Sequence, residues 1–114
     1  MSKTSVQLAV AAEQGVAYTR LHDHLVETGA LAAASSSAMD EPRSLAYTLR
    51  LRDGTTQVTT LELTRAGEDC LLTMSVDLEH QAEGKDTKWI TPKQLDEQHR
   101  TLAGIFARIA SGNA

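Results

Sequence analysis

Large aromatic rings are scarce in this chain of 114 residues: they make up 4% of it, as Tyr18, Tyr47, Trp89 and Phe106. A core must therefore be built mainly from Leu, Val and Ala, and any ring facing a cavity stands out against that background. Cysteine is rarer still. Cys70 has no second thiol to pair with, so no internal disulfide forms, and its place in an alternating apolar run is that of a small buried hydrophobe. No apolar run approaches the ~18 residues of a membrane span, and the N-terminal residues do not read as a secretory leader, so the expected address is cytoplasmic. Cationic surplus is missing too. A net charge of −4 and a pI near 5.5 give phosphate backbones no broad attraction, which argues against nucleic acid as a partner. What remains is ordinary: 41% hydrophobic and 23% charged residues, enough for one core and one domain spanning residues 1–114.

Hydrophobic periodicity places the elements. Val6, Leu8 and Val10 alternate as a short strand within Ser5 to Ala11. From Glu13 the period lengthens, and Val16, Tyr18, Leu21 and Leu25 form the apolar stripe of a helix that Gly29 ends. Leu31 to Met39 reads either as a second short helix, through its alanines, or as a loose connection, through its serines. Glu41-Pro42 breaks any helix there. Three strands follow as a meander. Leu45, Tyr47, Leu49 and Leu51 alternate up to an Asp53-Gly54 turn. The partner strand has Val58 out of phase with Leu61 and Leu63, which predicts a bulge or twist. After a turn at Ala66 to Asp69, Cys70, Leu72, Met74, Val76 and Leu78 alternate. A polar connection with a turn at Gly84 leads to Thr91-Pro92-Lys93-Gln94, a capping box with proline at the first helical position. Leu95, Leu102, Ile105, Phe106 and Ile109 mark the stripe of the last helix, which Gly112 ends. The expected fold is α+β, an antiparallel β-meander packed against a C-terminal amphipathic helix in the order β-α-(α)-β-β-β-α.

Chemistry is harder to find. His22 and His24 lie two apart on a helix and point roughly 200° away from each other, so they cannot share one ion; they read as surface residues. His80 and His99 have no acidic or cysteine partner at ligand spacing and read as solvated, so no metal is expected. Asp77, Glu79 and Glu83 single out no acid–base pair. No nucleophile elbow, phosphate loop or dinucleotide glycine pattern occurs. No catalytic residue and no cofactor follow, and an enzyme is the least favoured reading. Tyr47 is the most interesting single residue, on an apolar strand face with a hydroxyl that needs a partner if buried. Trp89 either covers a pocket or fixes the entry to the last helix.

The segment from Glu41 to Glu79 resembles the START-related polyketide cyclase and lipid-transfer superfamily, also called SRPBCC or helix-grip. The resemblance rests on a proline-containing entry at Pro42, an L-x-Y strand at Leu45 and Tyr47, the Asp53-Gly54 hairpin, a V-T-x-L strand at Val58 to Leu61, an L-T-M strand at Leu72 to Met74, and a closing helix. It implies a small apolar ligand held between sheet and helix. Tyr47, Leu61, Met74 and Phe106 match inward positions and are the expected ligand-binding residues. The short path from Leu31 to Pro42 implies a shortened member with about four strands, whose cavity is shallow, open or completed by a second subunit. The alternative function is a non-enzymatic protein-interaction module or a homodimeric regulatory protein.

Overall fold

The computed structural model describes residues 2–50, 54, 56–79 and 92–112. Within them the chain runs β1 (Ser2–Val10), α1 (Gln14–Glu27), α2 (Ala30–Ala33), β2 (Ser36–Asp40), β3 (Ser44–Arg50), β4 (Thr56–Ala66), β5 (Asp69–Glu79) and α3 (Pro92–Ser111). The strands make one antiparallel sheet in the order β1-β5-β4-β3-β2. The meander is therefore real, with the first strand added beside the last.

Two expectations change. The segment from Leu31 to Met39 begins in the expected second short helix, the single turn α2, but then gives way to β2, a fifth strand on the outer edge of β3. Five residues, Ser-Ser-Ala-Met-Asp, carry no alternation to announce a strand; the free edge of β3 supplies the hydrogen bonds. Nor is there a bulge in β4, since its pairing with β3 and with β5 runs without interruption. Thr59, not Val58, takes the inward position, fully buried, in phase with Leu61 and Leu63.

The β4–β5 turn follows from one residue. Ala66 pairs with Asp69, leaving Gly67 and Glu68 between, and Gly67 alone has positive φ, +68°. A glycine first and an ordinary residue second is the pattern of a type II′ hairpin turn, whose twist matches that of the strands.

The helices cover one face of the sheet. Helix α1 buries Ala17 together with Tyr18, Leu21 and Leu25 of the expected stripe, while Val16 points outward, 42% exposed. On α3 the inward residues are His99, Ala103, Phe106, Ala107 and Ala110. Leu102 and Ile109 are half-buried at its flank, and Ile105 is exposed. Phe106 faces inward as its stripe predicts, but the small residues Ala103, Ala107 and Ala110 share that side with it and Ile105 does not. The C-terminal end of α3 is tied down twice: the Arg20 guanidinium donates to the Ala110 carbonyl at 3.0 Å, and Ser111 Oγ accepts from the Ala11 amide at 3.0 Å. Pro92 opens α3 as expected; the cap at Thr91, the side chain of Leu95, and Leu51, His80, Glu83, Gly84 and Trp89 lie outside the described residues.

Candidate functional site

Strand register sorts the inner face into rows. Val6, Met74, Leu61, Leu45 and Met39 are successive cross-strand neighbours, an apolar row that crosses all five strands. The next row holds Val76, Thr59, Tyr47 and Ser37. An apolar floor thus lies beside a polar strip.

All four residues expected to bind ligand belong to the single buried core. Leu61 and Met74 are directly opposed across β4 and β5, Tyr47 lies in the adjacent row, and Phe106 comes down from α3. Their exposures are 5% for Tyr47, 1% for Leu61, 0% for Met74 and 3% for Phe106. A side chain lining a water-sized void keeps some accessible surface, so Leu61 and Met74 line none in this conformation. Space for a ligand between them requires the helices to shift from the sheet, α1 over β4 and α3 over β1 and β5.

Three polar groups sit in or beside this core, and two of them were not anticipated. The Tyr47 hydroxyl shares a hydrogen bond with the Thr59 side chain; burial raises the Tyr47 pKa above its ordinary value, and that bond offsets part of the rise. The Gln57 amide also donates to Thr59 Oγ1, at 3.4 Å. His99 is 2% exposed, which corrects its reading as a solvated histidine. Its position, four before Ala103 and seven before Phe106, is the helical signal that places it inward. His24 is half-buried with its ring edge against Phe106, centroids 5.9 Å apart, and His22 stacks on Tyr18 at 6.4 Å. Neither is a free surface histidine. Among the described residues no group of three or more His, Cys, Asp or Glu could hold a metal.

The apolar row is not covered to its end. Leu45 is buried, but the next residue along it, Met39 on β2, is 49% exposed. Met39 opens into a cleft of about 380 Å³ that Tyr18, Thr19, His22 and Glu41 also line. Burial, then the negative charges of Glu41 and Asp40, raise the Tyr18 pKa there. A wider cleft of about 770 Å³ between the start of α1 and the β4–β5 turn is lined by Glu13, Gln14, Gly15, Arg65, Gly67, Glu68 and Asp69, polar or glycine throughout, and offers no apolar floor.

The fold as a whole is similar to that of solved structures. A protein from Mesorhizobium loti matches 97% of this chain over 95% of its own, with a TM-score of 0.63 at 13% identity. An AHSA1-like protein from Aeromonas hydrophila matches 98% of it over 95% of its own, at 0.61 and 13%. A START superfamily protein from Mycobacterium smegmatis matches 98% of it over 96% of its own, at 0.50 and 12%. The chain has the START-like helix-grip fold. No protein-family model matches it, and no curated protein is significantly similar to it. At such identities the likeness lies in the helix-grip architecture: α1 and α2 after the first strand, the antiparallel sheet, and α3 as the closing helix. No described helix is long and apolar enough to cross a membrane.

Proposed function

We propose that this chain binds a small, largely apolar molecule between the inner face of its sheet and α3, with Tyr47, Leu61, Met74 and Phe106 as the contacting residues. The observation that supports this most is the apolar row running under the helices and emerging at Met39, because it joins the core to an open cleft. A ligand enters over Met39, displaces helix–sheet contacts and lies along the row. Its polar group is met by the Tyr47–Thr59 pair in the neighbouring row. The helix-grip fold is compatible with this reading, since α1, whose Tyr18, Thr19 and His22 line the cleft, and the closing helix both cover the row. Binding here needs no catalytic group, and the reading is a carrier or sensor, not an enzyme.

The test is titration of the isotopically labelled protein with a fluorescent fatty-acid or naphthalene-type probe. Chemical shifts should move at Met39, Tyr47, Leu61, Met74 and Phe106, and Met74→Glu should abolish the effect while a Glu68→Gln control retains it. Absence of saturable binding by such probes up to their solubility, or shifts confined to the outer sheet face, would remove the proposal. The second reading, an interaction module, draws on β2, all five residues of which are exposed at the edge of the sheet.

A further inference from the structure

The outward face of α3 carries features that the single chain leaves unexplained. Opposite the buried stripe of His99, Ala103, Phe106 and Ala110, the same helical spacing aligns Glu97, Thr101, Gly104, Ile105 and Arg108. Ile105 is 38% exposed, and with half-buried Leu102 it borders a shallow cleft of about 430 Å³ completed by Glu97, Gln98 and Thr101. Gly104 stands mid-way along a helix of 20 residues, where glycine is among the poorest helix formers, yet no atom lies within 4 Å of the place a Cβ would occupy. Nothing in the chain's own packing requires it. Glu97 and Arg108 are exposed, and neither takes part in an ion pair among the described residues.

We propose that two copies of this chain associate through this face, α3 against α3, antiparallel about a two-fold axis that passes between Leu102 and Ala103. Positions 97 and 108, and positions 101 and 104, are symmetric about that same point. The pairing therefore sets Glu97 of each copy against Arg108 of the other, at both ends of the contact. In the middle, each Thr101 meets the other copy's Gly104, where the absent side chain lets the helices approach. Ile105 of each copy fills the cleft beside the other's Leu102. One stripe is thus complementary to itself in charge and in shape, as a two-fold interface demands. Antiparallel helices also oppose their macrodipoles favourably. The edge of β2 is the rival surface, but self-pairing centred on Ala38 sets Ser36 against Asp40, Ser37 against Met39 and Ala38 against itself, and offers no charge complementarity. The α3 contact uses the face opposite the proposed ligand site, so each can hold or fail without the other.

One helix crossing buries less than the ~800 Å² per partner of a standard interface, so a dissociation constant in the micromolar range is expected. Sedimentation equilibrium of the whole chain, from about 1 μM to about 1 mM, should show a monomer–dimer equilibrium. Glu97→Arg and Arg108→Glu should each weaken it by about tenfold or more, because two attractions become repulsions in every dimer. The double variant E97R/R108E restores the pairs in reverse and should recover wild-type association to within about threefold. Gly104→Gln, a better helix former on an exposed position, should remain folded by circular dichroism and be monomeric. A wild-type chain that stays monomeric throughout, a dimer indifferent to the charge reversals, or a double variant that fails to recover would each overturn the proposal. So would a dimer lost only on Ala38→Pro, which would place the contact on β2.

Discussion

Tyr47 shows how a single side chain carries both structure and the proposed function. Its ring fills the core while its hydroxyl is held by Thr59, the residue directly across β3 and β4. Removing that hydroxyl leaves a buried threonine with one partner fewer, so Tyr47→Phe should cost about 1–2 kcal/mol near neutral pH. The sign of the pH effect follows from burial. The folded pKa lies above the ordinary 10.0, so the unfolded chain loses its proton first. The contribution of Tyr47 is thus fully present below about pH 10 and is lost as the pH climbs toward the folded value. Urea unfolding at about pH 7 and about pH 11 should show a smaller alkaline loss in Tyr47→Phe than in the wild type. Equal stabilities near neutrality together with parallel losses would show that the hydroxyl is not held. The burial of Tyr47 was readable from alternation alone. Its partner was not, because a threonine at 59 reads as the wetted side of a strand until Leu61 and Leu63 fix the phase.

Among the elements, β5 and α3 make the sharpest contrast. Leu72 is fully buried at the centre of β5, between Leu8 and Leu63 in neighbouring strands, and Leu72→Ala should destabilise by about 2–5 kcal/mol. Ile105 is as hydrophobic but faces outward, so Ile105→Ala, measured at low concentration where the chain is monomeric, should cost less than about 1 kcal/mol. Chemical denaturation of the two variants checks both; comparable losses would mean that α3 is rotated from the orientation described. Sequence pattern foretold that a helix begins at Pro92 and ends by Gly112, because capping chemistry is local. It placed Phe106 inward and Leu102 and Ile109 against the core, but it also put Ile105 there and missed the alanines, because large apolar residues dominate the pattern and only the sheet selects the alanine side. The same reason misplaced Val16 on α1.

At the scale of the molecule, stability should be graded across the sheet. Strands β4 and β5 have neighbours on both sides, whereas β2 pairs only with β3 and every one of its residues is exposed. Amide hydrogen exchange should therefore be at least about tenfold faster in 36–40 than in 70–78. Equal protection in the isolated monomer would mean that β2 is part of the cooperative core. The graded edge also bears on ligand entry, since the open end of the apolar row lies on β2.

The sequence by itself determined the α+β class, the antiparallel meander, the positions of α1 and α3, and the resemblance to the helix-grip superfamily. These rest on period-two and helical alternation, turn glycines and caps, all of which act within a few residues. The tertiary structure alone decided that 36–40 is a strand, that Val16 and Ile105 face outward, that His99 and Thr59 are buried, and that Met39 is left uncovered. Each depends on which surface arrives from elsewhere in the chain. The short run Ser-Ser-Ala-Met-Asp becomes β because the edge of β3 offers it hydrogen bonds, and no spacing within the run records that offer.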